Sequence, residues 1–513
     1  MSGEGAPLTG PDLARGIAPS DVPEGGMLLG HAHGEPVLLV RQGEEVWAIG
    51  PRCTHYGGPL AEGLATDGQV RCPLHHACFD VRTGRAVHAP ALDPVPCWEV
   101  ERRGALIAVG QRRPSPTPSP ARAASVENVV IVGAGAAGNA AAEMLRWEGY
   151  AGAITLIGAD ADRPVDRPNL SKDYLAGTAS EDWVPLRGPD FYTAHRIELV
   201  LGTSAVAIEP GLRRVLLSDG TSRTYGALLL ATGASPVRLD MPGGEAVHYL
   251  RTFADSRAII ARAKAGAAAV VVGGSFIGLE VAASLRTRGL GVDVVAPEER
   301  PLERVLGAEL GDFIRGVHEA HGVRFHLRHT VRSVEEGAAV LDDGTRLAAD
   351  LVVAGVGVRP ELGLPERAGL RTDRGVLVDG YLQTSAPGVY AAGDLARWPD
   401  SHSGHPIRVE HWVVAERQGQ TAARNILGAR EPFRAVPFFW SQHFDVTINY
   451  VGHAERWERT EIKGSLAARD CLVAFRSGGR IAAVATIGRD QQSLRAELLL
   501  ERDDQAGLEA LLR

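Results

Sequence analysis

Val129-Val130-Ile131-Val132-Gly133-Ala134-Gly135-Ala136-Ala137-Gly138 decides the fold. Four β-branched residues predict a buried strand, and three glycines at Gly-x-Gly-x-x-Gly spacing turn it into a helix. The first glycine allows the tight turn, the second lets a pyrophosphate reach the backbone, and the third lets helix and strand pack closely. Free N–H groups and the helix dipole then favour phosphate charge at the helix start. A second strand, Ala153-Ile154-Thr155-Leu156-Ile157, ends just before Asp160, which lies 22 residues beyond Gly138. At that distance an acid is placed to accept from a ribose hydroxyl.

The same grammar returns at Val270-Val271-Val272-Gly273-Gly274-Ser275-Phe276-Ile277-Gly278. Ser275 replaces the middle glycine and is small enough to permit close backbone approach. A strand, Val292-Asp293-Val294-Val295, follows, and Glu298 stands 20 residues past Gly278. Two such units predict two dinucleotides, with NAD(P)H in the second. Glu298 or Glu299 favours NADH by accepting from the 2′-hydroxyl, although Ala296 occupies the position directly after the strand, and Arg300 and Arg304 leave NADPH open.

A chain of 513 residues exceeds one core and predicts three or four domains. Its 45% hydrophobic and 23% charged content is that of a globular protein, and the net charge of −8 argues against a nucleic-acid binder. The polar Ser2-Gly3-Glu4-Gly5 start predicts no secretory signal, and the longest apolar run, from Ala265 to Leu279, is too short to span a bilayer. The expected location is the cytoplasm. Of five cysteines, none falls between Cys97 and Cys471, which excludes a dithiol relay in the nucleotide-binding region.

Before the hub, residues 1 to about 25 read as a loose lead-in. From Met27 to Val109, short strands such as Val37–Val40 and Val46–Ile49 alternate with Gly/Pro turns, predicting a small all-β domain. It contains Cys53-Thr54-His55 and Cys72-Pro73-Leu74-His75, with sixteen residues between His55 and Cys72. Such units bind zinc or a [2Fe–2S] centre. One thiolate and one imidazole per loop suits the latter, with cysteines on one iron and histidines on the other. Cys78 and Cys97 read as packed thiols. Alternate prolines between Gln111 and Ser125 predict an extended, semi-rigid tether.

Cys-Thr-His and Cys-Pro-x-His at this separation resemble Rieske ferredoxin domains. The resemblance implies that Cys53 and Cys72 hold one iron and His55 and His75 the other. Rieske loops usually carry glycine after the second histidine; this chain has His76, read as an exposed loop histidine. Asp166-Arg167-Pro168-Asn169-Leu170-Ser171-Lys172, Ala231-Thr232-Gly233 and Gly388-Val389-Tyr390-Ala391-Ala392-Gly393-Asp394 resemble the FAD-binding pattern of ferredoxin-reductase-type pyridine-nucleotide flavoenzymes. By that resemblance Arg167 and Lys172 lie along FAD, Asp394 bonds its ribityl chain, and Lys172 pairs with Glu280 beside the flavin. Trp412, in Glu410-His411-Trp412, is implied near the flavin ring, as the contact to the Rieske domain through His55 or His75.

The whole chain resembles the apoptosis-inducing-factor-like group with an N-terminal Rieske domain. The implied fold class is multidomain: an all-β Rieske domain, two α/β Rossmann-like domains with the NAD domain inserted in the FAD domain, and a C-terminal α+β domain. The expected boundaries are 1–110 for the Rieske domain, 111–125 for the linker, 126–243 and 371–428 for the FAD domain, 244–370 for the NAD(P)H domain and 429–513 for the C-terminal domain. The last is read as a dimer or docking surface, or a cover over the flavin. The implied function is electron transfer from NADH through FAD and the Rieske cluster to an external oxygenase or haem protein. The alternatives are an NADH-responsive redox sensor with slow turnover and an oxidoreductase acting on a small molecule at the flavin.

Overall fold

The computed structural model describes residues 8–120 and 126–513. The strand Asn128–Val132 is central in a five-stranded parallel sheet whose order is Ile197–Val200, Ala153–Ile157, Asn128–Val132, Ala227–Leu230, Val389–Ala391. Its residues are buried on both faces, as the unbroken β-branched run requires. The next glycine turns as expected: Gly133 has φ +113°, and a Cβ there would lie 2.1 Å from the Ala231 carbonyl oxygen. A Cβ on Gly138 would lie 1.9 Å from the Gly133 oxygen, so the third glycine does let helix Ala136–Trp147 press onto its strand.

The second unit repeats this plan. Ala268–Val272 is flanked by Gly291–Ala296 and Leu351–Ala354, with Val323–Leu327 and His248–Tyr249 at the edges, all parallel. A three-stranded antiparallel flap accompanies each sheet, Ala205–Glu209 to Ser222–Thr224 in the first and Val331–Glu335 to Arg346–Ala348 in the second. Because Val389–Ala391 returns to the first sheet after the second is complete, the second unit is an insertion in the first.

The N-terminal region holds two antiparallel sheets, one of five strands from Met27–Ala32 to Leu106–Arg112 and one of four from Leu64–Thr66 to Ala86–His88. The expected loose lead-in is corrected for its described part. Leu13 and Val22 are fully buried, and Leu13 N–H donates to His31 O. Residues 1–7 lie outside the described residues.

The expected linker starts later than 111, because the strand Leu106–Arg112 runs into it. Beyond that strand the chain is irregular to 120, and it is pinned: Arg113 N–H donates to Cys97 O and Ser119 N–H to Trp147 O. Residues 121–125 of the expected tether lie outside the described residues.

The C-terminal sheet runs Phe438–His443, Val446–Gly452, Arg480–Ile487, Asp470–Ser477, Arg459–Ser465, antiparallel throughout, and carries helices Asp490–Glu501 and Gln505–Leu512. Gly478 and Gly479, both at positive φ, turn the chain between Asp470–Ser477 and Arg480–Ile487. No helix among the described residues is long and apolar enough to cross a membrane.

Candidate functional site

A cavity of about 410 Å³ opens where the strand order of the parallel sheet reverses, between the carboxyl ends of Asn128–Val132 and Ala227–Leu230. Gly133, Gly135, Asp160, Arg167, Ala231 and Thr232 line it. Gly135 leaves room: the nearest atoms to a Cβ there belong to the Arg167 guanidinium, at 3.6 Å. Arg167 Nη2 lies 3.7 Å from Asp160 Oδ2, bringing a cation and an acid to one wall. Thr232 Oγ1 is buried without a partner. An open glycine cradle, a guanidinium and an orphaned hydroxyl fit the pyrophosphate and ribose of a dinucleotide.

Other fingerprint residues stand behind the wall. Ala136, Ala137 and Gly138 form the packed first turn of the helix. Ala137 meets Gly419, whose Cβ would come 2.1 Å from the Ala137 oxygen, so the helix Trp412–Ile426 is drawn hard against the fingerprint helix. Gly393 N–H donates to Gln418 Oε1 at 2.7 Å. Asp394 is held by Arg251, Nη2 to Oδ2 2.7 Å, and Gly233 passes beside the same guanidinium. Arg251 also lines the cavity, and no sequence signal marked it.

Lys172 and Glu280 meet. Lys172 Nζ donates to Glu280 Oε2 at 2.8 Å, Ser171 Oγ donates to the same oxygen at 2.6 Å, and Ser441 Oγ donates to Oε1 at 2.7 Å. Glu280 is 3% exposed, so it is a buried carboxylate neutralised by one cation and satisfied by two hydroxyls. The interaction joins three segments of the molecule, since Ser441 lies on the C-terminal strand Phe438–His443. His443 lies 3.2 Å from Ser441 Oγ and 3.1 Å from His318, and burial lowers both histidines below the usual imidazole range.

In the second fingerprint Ser275 caps helix Phe276–Thr287. Its Oγ accepts from Gly278 N–H at 3.2 Å and donates to Gly355 O at 2.6 Å, a task no glycine performs. Gly273 has φ +108°, Gly274 approaches Ala296 and Pro301, and Ile277 is 44% exposed at the helix start. Around the acids after the strand, three arginines stand near carboxylates. Arg304 is 3.6 Å from Glu298, Arg328 is 2.9 Å from Glu299, and Arg300 is 2.9 Å from Asp312.

The two Cys/His loops are built alike. Cys53 N–H donates to Gly58 O and Gly57 N–H to Cys53 O; Cys72 N–H donates to Ala77 O and His76 N–H to Cys72 O. The two thiols influence each other, Cys72 pushing Cys53 up and Cys53 drawing Cys72 down. The imidazoles face each other, Nδ1 to Nδ1, at 3.1 Å, and burial lowers His55 to about 4 and His75 well below its ordinary value. Neutral imidazoles are the ligand form. Thiol beside thiol and imidazole beside imidazole fits two irons with unlike ligand pairs. A single tetrahedral ion would need all four donors at one point. Among the described residues, three such donors converge within 4.8 Å at the surface set His329, Asp342 and Asp343. Cys78 and Cys97 are buried thiols, both pushed up to about 11 by burial.

The loops face the reductase body. The ring of His75 lies on Trp440, centroids 4.1 Å apart, and Lys172 Nζ stands 5.7 Å from the centroid of the same indole. Trp412, expected at this contact, is the first residue of its helix and packs against the core of the FAD unit. The reason is strand alternation: Phe438 and Trp440, two apart, project from one face of the C-terminal sheet edge toward the Rieske loop. His76 is also corrected; it is fully buried rather than exposed. Tyr56 O–H donates to Asp166, whose carboxyl is pushed up to about 6, chiefly by burial.

These features define an FAD- and NAD(P)H-binding oxidoreductase with a fused iron–sulfur domain, and comparison with known proteins agrees. Residues 127–419 match the pyridine nucleotide-disulphide oxidoreductase family, 15–99 the Rieske [2Fe-2S] domain and 438–512 the reductase C-terminal domain. The chain belongs to the pyridine nucleotide-disulphide oxidoreductase family, in its ferredoxin-reductase-type branch. It is 34% identical over 477 residues to human apoptosis-inducing factor 3, covering 88% of this chain and 78% of that protein. It is 39% identical over 376 residues to the ferredoxin–NAD(+) reductase component of the anthranilate 1,2-dioxygenase system of Burkholderia cepacia, covering 71% and 92%. The crystal structure of the covalent putidaredoxin reductase–putidaredoxin complex matches with a TM-score of 0.73 and 36% identity, over 76% of this chain and 96% of that one.

Proposed function

We propose that the chain takes electrons from NADH in preference to NADPH, passes them to its own Rieske domain and delivers them to an oxygenase or haem protein in the cytoplasm. The observation that carries this reading is the line from the Lys172–Glu280 pair through Trp440 to His75. When bound, FAD accepts a hydride as two electrons and releases them singly, and the [2Fe–2S] cluster carries one at a time.

The chain's own residues supply placement. Gly133, Gly135, Arg167 and Thr232 would hold the dinucleotide backbone of FAD, and Asp394, fixed by Arg251, its ribityl chain. Gly273, Ser275 and Gly278 would hold the pyrophosphate of the nicotinamide nucleotide, with Glu298 on its ribose. Lys172 and Glu280 neutralise each other and order the wall between the two sites. Trp412 is assigned to the flavin side of that wall and Trp440 to the cluster side. Cys53, Cys72, His55 and His75 would hold the cluster. Glu298 and Glu299 favour a free 2′-hydroxyl over a phosphate.

Anaerobic mixing with NADH, followed at flavin and cluster wavelengths, tests the order of events. Reduction at the flavin, then at the cluster, then oxidation by an added haem protein or oxygenase supports the reading. Reduction that stops at the flavin contradicts it.

A further inference from the structure

In the two cluster loops the same backbone position is Gly57 in one and His76 in the other. Each donates its N–H to the loop cysteine's carbonyl four residues back, and each is left-handed, with φ +69° at Gly57 and +59° at His76. Glycine takes that conformation freely, whereas a residue with a Cβ is strained there. A strained, fully buried histidine persists only where its surroundings over-determine it.

They do so from two other parts of the molecule. His76 Nδ1 is 2.8 Å from Glu497 Oε2, and Nε2 is 3.2 Å from Ser493 Oγ, both on the C-terminal helix Asp490–Glu501. Its ring stacks on Phe438, with centroids 3.9 Å apart and planes 16° apart. Its carbonyl accepts from Arg417 Nη2 at 2.9 Å, while Arg417 Nη1 donates to Glu497 Oε1 at 2.7 Å. Arg417 lies on the helix Trp412–Ile426 of the FAD unit. Burial disfavours the charge on Glu497, yet Arg417, His76 and Arg71 hold its carboxyl well below the usual range. Consecutive residues of one loop thus engage alternate rings of one strand, His75 on Trp440 and His76 on Phe438.

We propose that His76, with Glu497 and Arg417, is a positioning lock that holds the Rieske domain docked on the reductase body and so keeps His75 against Trp440. The lock accounts for a histidine where the sister loop has glycine. Its link to turnover rests on the reading that the cluster receives electrons within the chain; the lock itself does not.

The test is hydrogen–deuterium exchange on the full-length protein with its cofactors, comparing wild type with His76→Gly, His76→Asn and Glu497→Gln. Glycine suits the left-handed position, so the loop backbone keeps its path. In His76→Gly, exchange over 86–89, where Ala89 N–H donates to Gln420 Oε1 and its carbonyl accepts from Arg417 Nε, and over 490–501 should rise by about tenfold or more, because these segments open with the interface, while the two parallel sheets stay protected. Glu497→Gln, which changes no volume, should do the same even if His76→Gly disturbs the loop. His76→Asn tolerates the backbone and keeps a donor, so it should fall between. Flavin-to-cluster transfer should slow in the same order, with flavin reduction by NADH unchanged. Wild-type protection of both segments in His76→Gly and Glu497→Gln would overturn the lock. A wild-type cluster that NADH does not reduce would instead overturn the electron-transfer reading and leave the exchange result standing.

Discussion

The indole of Trp440 lies against the imidazole of His75, ring centroids 4.1 Å apart and planes tilted by 44°. One residue comes from the C-terminal sheet and the other from a cluster loop, 365 positions earlier in the chain. A flat, polarisable ring in contact with His75, proposed above as a cluster ligand, and near Lys172 would shorten the gap between the proposed redox sites. Trp440→Leu should leave flavin reduction by NADH unchanged and slow reduction of the cluster, as read by stopped-flow absorbance. Trp412→Ala gives the comparison: packed in the FAD unit, it should disturb the flavin's spectrum more than the cluster's rate.

The cluster loops predict a mixed-ligand [2Fe–2S] centre, to be read as two irons and two acid-labile sulfides per chain. Replacing an imidazole by a thiolate adds negative charge, so His55→Cys should lower the reduction potential toward that of all-cysteine ferredoxins. Stoichiometric zinc without sulfide would contradict the assignment.

Breaking the Lys172–Glu280 pair leaves a carboxylate 3% exposed and without its cation. Lys172→Ala should cost about 3 kcal/mol of stability and slow the reductive half-reaction while FAD stays bound. Adding Glu280→Gln should recover part of the lost stability but not the rate, because the uncompensated charge is gone while the placement is not restored. Thermal melts and single-turnover kinetics on the three proteins separate the two effects.

The proposed preference for NADH rests on the two acids after the second strand, Glu298 and Glu299. Arg304 stands 3.6 Å from Glu298 and Arg328 2.9 Å from Glu299, exposed ion pairs that a 2′-phosphate would have to displace. kcat/KM should favour NADH. Glu298→Ala with Glu299→Ala should shift the ratio toward NADPH by roughly tenfold to a hundredfold, the scale of one charge-assisted hydrogen bond.

Asp166 supplies a pH dependence. Burial raises its carboxyl from the ordinary 3.8 to about 6, against the lowering effect of the Tyr56 hydroxyl and Lys172. A folded-state value above the unfolded one means the folded protein binds more protons in between. Its contribution is therefore complete below about 4 and lost as pH rises through about 6. Relative to wild type, Asp166→Asn should flatten the fall in stability across that window by roughly 2–3 kcal/mol. Denaturant melts at a series of pH values read the difference.

Local rules made much of this molecule legible. Both parallel sheets announce themselves through β-branched runs ending in spaced glycines, and two short Cys/His units mark the loops that the fold then sets side by side. The Lys172–Glu280 pair was reachable by resemblance. What was missed is non-local. Trp440 looks like any strand aromatic until the fold brings it to His75, and Arg251 gives no sign of reaching Asp394. His76 departed visibly from the glycine pattern, but its partners lie more than 340 residues away, so burial was not inferable. The lead-in misled because few apolar residues, Leu13 and Val22 among them, suffice to anchor a Gly/Pro-rich segment on a neighbouring sheet.

On the proposed reading, electrons pass from the flavin to the cluster of the same chain. Anaerobic stopped-flow with excess NADH, run over a wide range of protein concentration, measures it most directly. The docked geometry predicts that the cluster is reduced after the flavin with a first-order rate that does not change with protein concentration. A rate that rises in proportion to concentration, or a cluster left oxidised beside a reduced flavin, would contradict it.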